Sequence, residues 1–202
     1  MEARAFCGVD ELMGKIVFLL EEPSMKYLLE NLLPRLFPDL VFQCIPHEGK
    51  TQLDRSIPVK LKAWREPGVR FVIVRDNDNV DCRAMKQRLQ ELCAQGERED
   101  TLIRLVCQEL ESWYLGDLSA LANAYELRNI DTPRNRKKYR EPDAWEKPSV
   151  EVKRLVPSFQ KLDGARRLGR ELQTMENASP SFRIFVSGVA KVMAEMNEEA
   201  KA

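Results

Sequence analysis

The chain is expected to fold as an α/β domain, a mostly parallel sheet flanked by helices with a helical C-terminal extension. Three observations predict this. Short apolar runs end abruptly in acidic residues, helical periodicity fills the stretches between them, and the strand, acidic tip and helix unit recurs along the chain. At 202 residues there is material for one well-buried core with a smaller appendage. The expected layout is an α/β core over residues 1–125 and, over 126–202, a basic loop with a helical extension packed on that core.

Taken in order, Lys15 to Leu20 reads as a buried strand that delivers Glu21 and Glu22 to its tip. Pro23 suits a first helical turn, and Leu28, Leu29, Leu32, Leu33 and Leu36 repeat at helical spacing before Pro38 ends the run. Val41 to Ile45 is a second strand, and Val59 to Trp64 is the end of a helix before the Pro67-Gly68 turn. The unit then repeats. Phe71 to Val74 is apolar, its tip runs Arg75-Asp76-Asn77-Asp78-Asn79-Val80-Asp81, and Met85, Leu89 and Leu92 form one face of a helix. Leu102 to Val106 is another strand, followed by Leu110, Trp113, Tyr114, Leu118 and Leu121 at helical spacing. Beyond Tyr125, the basic run Arg134 to Arg140 and the proline-bearing stretch Glu141 to Pro148 read as a long loop. Val150 to Val156, Ala165 to Leu172 and Ser181 to Met196 read as short helices, with a frayed charged end.

Composition bounds the partners. Lysine plus arginine equals aspartate plus glutamate, 32 of each, so no global field draws the protein to nucleic acid or to an anionic membrane. Any nucleic-acid binding must come from a local patch. The five cysteines include no Cys-x-x-Cys pair, and three lie in apolar segments, which fits a reducing compartment. Residues Met1 to Gly8 carry no long apolar run behind a basic start, and no later window approaches membrane-spanning length. A cytoplasmic protein without membrane partners is the expectation.

Asp76 and Asp78 stand two apart after an apolar strand, where an extended tip points both carboxylates the same way. Like charges brought together need a cation, and magnesium or manganese suits a site of carboxylate oxygens without a nearby histidine or thiolate pair. The competing reading is a loop whose aspartates cap the next helix. For Asp81 that reading is adopted, with Asp81 as the N-cap before Cys82. Glu21 ends the first strand, and neighbouring strand tips converge at the carboxyl edge of a doubly wound sheet. Glu109 and Glu111 open the helix after the last strand, where the helix dipole alone favours negative charge. Glu111 borders the apolar stripe while Glu109 turns outward, so Glu111 is the candidate.

Other motifs fail on spacing. Gly49-Lys50-Thr51 lacks the upstream glycine of a phosphate loop, since Cys44 stands there. Asp81 and Gln87 occupy positions where an EF-hand needs glycine and glutamate. Val74 to Val80 nearly matches the haloacid-dehalogenase-like phosphatase motif, with Asp76 as a nucleophile, but that motif usually opens a domain. It is kept as a minor alternative. The run Arg134, Arg136, Lys137, Lys138 and Arg140 is either a solvated loop or a phosphate grip for nucleic acid, with Tyr139 available to stack on a base. His47 is the only histidine, and nothing near the cysteines suggests an activated thiol, so nucleophilic hydrolase chemistry is unsupported.

With these residues in view, the sequence resembles a Toprim-like bacterial family catalogued as domain of unknown function 4276, related to Toprim nucleases of the overcoming-lysogenization-defect type. The resemblance runs over most of the chain. It is carried by Leu19-Leu20-Glu21-Glu22-Pro23-Ser24, His47-Glu48-Gly49-Lys50, Val74-Arg75-Asp76-Asn77-Asp78 with Asp81-Cys82, Glu109 to Leu115, Phe159-Gln160-Lys161 and Ser179-Pro180-Ser181-Phe182. Two positions depart from the family's pattern: Glu22 stands where a glycine follows the first glutamate, and Met25 where an acid follows the proline.

What the resemblance implies is magnesium-dependent cleavage or transfer at phosphodiesters of DNA or RNA. In that reading Asp76, Asp78 and Glu111 hold the metal, Glu21 joins them or acts as general base, and Lys161 stabilises transition-state charge. It further implies an ABC-type or AAA ATPase partner in anti-phage defence, and leaves a homo-oligomer open. The alternative from another class is a catalytically weakened Toprim module serving as a regulatory or nucleic-acid-binding subunit.

Overall fold

In a computed structural model, residues 14–201 are described. The opening segment and Cys7 lie outside them. Four strands, β1 (Lys15–Leu20), β2 (Val41–Pro46), β3 (Val69–Asp76) and β4 (Leu102–Val106), form one sheet in the order β2-β1-β3-β4. Every pairing is parallel, and parallel neighbours require the long crossover connections that helices supply. The crossovers are α1 (Pro23–Leu36), α2 (Lys50–Ala63) and α3 (Cys82–Gln95).

Strand alternation sorts the core into two layers. Val17, Leu19, Phe71, Ile73 and Ile103 face α2 and α3, where they meet Leu53, Ile57, Met85 and Leu89. Ile16, Phe18, Leu20, Val72, Val74 and Val106 face the other way, onto α1 and the C-terminal helices. The order 2-1-3-4 places a topological switch between β1 and β3, because the connection from β1 leaves toward β2 while β3 lies on its other side. Ligands of open α/β sheets settle outside the strand ends at such a crevice.

The stretch from Leu110 to Leu121, expected as one helix, is two: α4 (Glu111–Leu115) and α5 (Leu118–Tyr125). Asp117 divides them. Its carboxylate accepts from the Ala120 N–H at 2.9 Å and from the Gln173 N–H at 2.9 Å, restarting the chain as a capped helix. The expected loop is also more ordered. Thr132 caps α6 (Pro133–Lys138), and a 3₁₀ turn spans Pro142–Ala144. Helices α7 (Pro148–Leu155), α8 (Lys161–Glu171) and α9 (Pro180–Glu199) close the fold; α9 continues to Glu199 where fraying was expected. Residues from Ile130 to Met196 share one apolar cluster with β1, β3 and α1.

α8 lies against α1 at close range because Gly169 has no side chain. A Cβ there would stand 2.6 Å from the Leu28 carbonyl oxygen and 2.7 Å from the Asn31 Cβ. Gly169→Ala therefore pushes backbone against backbone, and an overpacking cost of about 1–3 kcal/mol is expected in urea unfolding. An unchanged midpoint would show that the two helices separate freely.

Candidate active site at the carboxyl edge of the sheet

The switch crevice gathers acids from three strand ends. Glu21 follows β1, and its N–H continues the ladder by donating to the Val74 carbonyl at 3.2 Å. Its side chain turns to β3, where Oε2 accepts from the Asp76 N–H at 3.2 Å. Asp76 is the last residue of β3, 6 % exposed, and its Oδ1 is buried with no hydrogen-bond partner among the described residues. Glu111, 2 % exposed, opens α4 just beyond β4. Lys161, first residue of α8, reaches in with its Nζ 2.6 Å from Glu22 Oε2.

Burial and mutual repulsion set the electrostatics. Burial pushes Asp76 well above the usual carboxylate range, and the charges of Glu22, Glu21 and Glu111 add to it. Burial, then the Asp78 charge, raises Glu21 to about 7. Burial likewise raises Glu111 to about 7, against the pull of Lys161. For Lys161, burial opposes the charge, but the bond to Glu22 and the nearby Glu111 and Asp76 hold its pKa above the ordinary lysine value. The hydroxyl of Tyr114, buried beside this group, has no partner among the described residues either.

These shifts have a consequence for stability. Glu21 and Glu111 bind protons more tightly folded than unfolded, so their contribution is fully present below about pH 4.5 and is lost as pH rises through about 7. A shift of this size corresponds to roughly 3 kcal/mol for one such group. Urea midpoints in a chelator should therefore fall between pH 5 and pH 8, and Glu111→Gln should flatten the slope. A rising midpoint over that window would contradict the buried acids.

Asp78 does not sit beside Asp76 as an extended tip requires. β3 ends at Asp76, and Asp78 and Asn79 take left-handed backbone with φ 47° and 63°. The β3 tip is instead laced to the β4 tip: Asn77 N–H donates to Val106 O at 3.0 Å, Asn79 N–H donates to Gln108 Oε1 at 3.0 Å, and Asn77 Oδ1 accepts from the Gln108 N–H. Alternation holds only while the chain stays extended, so Asp78 swings toward α2, with Lys50 Nζ 3.1 Å from its Oδ2. Among the sequence candidates the fold thus brings Glu21, Asp76, Glu111 and Lys161 together, with Asp78 paired to Lys50 and near enough for its charge to raise Glu21. Among the described residues no three His, Cys, Asp or Glu side chains close on one ion position as they stand.

Some participants were not anticipated. Glu22, read from sequence only as a departure, belongs to the acidic group and is held by the Ser24 hydroxyl and by Lys161. The adjacent acids at one strand end were the available signal. Arg75, 5 % exposed, carries a buried pair: its Nη1 lies 2.5 Å from Asp54 Oδ1, its Nε 3.8 Å from Glu21 Oε2, and Arg88 meets the other Asp54 oxygen at 2.9 Å. Nothing in strand periodicity marks that network. Asp81 caps α3 as expected, accepting from the Ala84 N–H at 2.8 Å. Glu109 instead accepts from Ser149 N–H at 2.8 Å and so anchors α7.

The basic run presents less than its sequence suggests. Arg136 is doubly bonded to Asp131 at 2.5 and 2.6 Å, and Lys138 Nζ lies 2.8 Å from Glu151. Tyr139, expected to stack on a base, is 2 % exposed and donates its hydroxyl to Glu151 at 2.9 Å, because its ring completes the core beside Trp145. Arg140 pairs with Glu141 at 3.3 Å, while Arg134 and Lys137 are exposed without a carboxylate partner among the described residues.

A four-stranded parallel sheet with acids at its switch point and helices on both faces defines an α/β domain of the doubly wound kind. The chain belongs to the family described as a domain of unknown function, DUF4276, whose model matches residues 20–190. Among solved structures the chain is similar to the C-terminal region of the Burkholderia pseudomallei OLD protein, at 18 % identity, with a TM-score of 0.50 over 90 % of this chain and 97 % of that one. No curated protein matches. No described helix is long and apolar enough to cross a membrane.

Proposed function

We propose that the protein is a divalent-metal-dependent nuclease acting at phosphodiesters of DNA or RNA. The observation that carries this reading is Asp76: a buried carboxylate with an unpartnered oxygen, ringed by Glu21, Glu22 and Glu111 at the switch point of the sheet. A structural aspartate so placed would have a capping or ion-pair partner on that oxygen. The residues fit magnesium or manganese, since every donor in the group is a carboxylate oxygen and neither histidine nor thiolate joins it. Asp76 and Glu111 would hold the ion, with Glu21 or Glu22 completing the set after small rotamer changes. A bound ion of this kind supplies Lewis-acid stabilisation of charge on a phosphoryl oxygen.

The chain's own residues do the rest. Glu21, raised to about 7, is suited to take a proton near neutral pH, and Lys161 places a positive charge beside the acids where a phosphodiester would lie. Burial of the acids keeps them apart from bulk water and strengthens each of these interactions. The similarity in fold to a C-terminal region of an OLD protein supports the class. The family match speaks against the dehalogenase-like alternative. An ABC-type or AAA ATPase partner, with a role in anti-phage defence, is the assembly that the same family reading proposes.

The test is cleavage of plasmid DNA, single-stranded DNA and transfer RNA with magnesium or manganese, beside Asp76→Asn,Asp78→Asn. Metal-dependent cleavage confined to the parent supports the proposal and names the substrate class. The Glu22–Lys161 ion pair within the acidic group favours a second reading, a module that binds without cutting. Nucleic-acid binding without cleavage under either metal, also after Glu22→Gly, would establish that reading instead.

A further inference from the structure

Next to the acidic group lies a cleft of about 380 Å³ between α4, α7 and the start of α8. The carboxylates Glu109 and Glu111 line it together with Ser149, Val150 and the two lysines Lys153 and Lys161. The size falls within the range of sites for small ligand units, roughly 300–1,000 Å³. Ser149, Val150 and Lys153 share one side of α7 by their spacing along the helix, while Glu151 turns into the core to meet Tyr139. The wall is fixed in place, because Glu109 accepts from the Ser149 N–H at 2.8 Å.

The chemistry of the walls is mixed in a definite way. Lys153 is exposed and has no carboxylate partner among the described residues. Its neighbours differ, for Lys138 and Arg154 are both spent on Glu151. Val150, 44 % exposed, offers an apolar surface one turn away. A cation beside an apolar face suits a unit that alternates anionic phosphate with a sugar and base.

We infer that this cleft is a subsite for the nucleotide adjoining the scissile bond, with Lys153 holding its phosphate and Val150 its sugar or base. The inference rests on the nuclease reading above and deepens it: the substrate strand leaves the acids past Lys161 and runs along α7. Lys153 is a binding residue here, and the acids are the chemical ones.

Lys153→Gln tests it, beside Lys191→Gln, whose lysine on α9 pairs with Glu195 at 3.6 Å. Cleavage of a labelled single-stranded oligonucleotide is followed in manganese over a range of salt, and binding of the same oligonucleotide by anisotropy without added metal. The expected result for Lys153→Gln is KM raised roughly fivefold or more with kcat little changed, and a salt slope shallower by about 0.7, one phosphate contact on a single strand. Lys191→Gln should match the parent. If KM and slope are those of the parent while Asp76→Asn still abolishes cleavage, the subsite is wrong and the nuclease reading stands. If the parent cleaves nothing, binding decides: a slope that falls with Lys153→Gln supports the subsite, and no binding or an equal slope overturns it.

Discussion

Asp76→Asn is expected to lower metal-dependent cleavage by on the order of 10²–10³-fold or more while making the protein more resistant to heat in a chelator. The two effects have one cause. Asp76 is buried among Glu21, Glu22 and Glu111, and its Oδ1 meets no donor. Asparagine keeps the shape and removes the charge, which deletes a ligand for the ion and also relieves repulsion within the group. Because the folded protein holds Asp76 protonated well above the ordinary range, the gain in stability grows as pH rises above about 4 and levels off at the raised folded value. For a chain of this length each kilocalorie gained is worth about 2–4 °C in Tm. Thermal melts in chelator from pH 5 to pH 8, beside a cleavage assay, read both. Full cleavage with a lowered Tm would make Asp76 a structural residue and remove it from the proposed metal site.

Trp113→Ala should be the most destabilising single truncation near the site, by about 3–5 kcal/mol. Trp113 is 1 % exposed, with its ring 5.1 Å from both Phe182 and Phe185. Its Nε1–H donates to Ser181 Oγ at 3.0 Å, and its carbonyl accepts from Asn177 Nδ2 at 2.9 Å. Truncation empties a large volume and takes from the Ser181 hydroxyl one of its partners, leaving Ser179 Oγ at 3.1 Å. A fall in Tm on the order of 10 °C follows. Trp113→Phe should recover part of it, since the aromatic packing survives and only the N–H is lost. A shift below about 1 kcal/mol, the range of surface substitutions, would mean that α4 and α9 are not held through this ring.

The same contact explains why two separated sequence pieces go together. Glu111-Ser112-Trp113 places an acid in the crevice and, two residues on, a ring in the core; Ser179-Pro180-Ser181-Phe182 supplies what the ring touches. Ser179 caps α9 by accepting from the Phe182 N–H at 3.2 Å and donates its own hydroxyl to Asp143 at 2.6 Å. The position of Glu111 therefore depends on the far end of the chain, and the C-terminal helices belong to the machinery that sets the site.

Sequence alone determined the strands, the parallel sheet and the arrival of Glu21 and Asp76 at its carboxyl edge. These follow from apolar runs ending in acids and from periods of two and 3.6 residues, which are local properties of the chain. It also pointed to Glu111 through its place on the apolar stripe, and to Lys161 through family resemblance. Tertiary structure decided what lay beyond local pattern. Asp78 parts from Asp76 because Asn77 and Gln108, far apart in sequence, tie two strand tips and force left-handed backbone. Tyr139 leaves the basic surface because Glu151 and Trp145 complete the core around it. Glu22 joins the acids because Lys161 approaches from the far end of the chain, which α8 can do only by packing on α1 at Gly169. Each of these depends on a partner distant in sequence, and periodicity carries no information about which distant residues will meet.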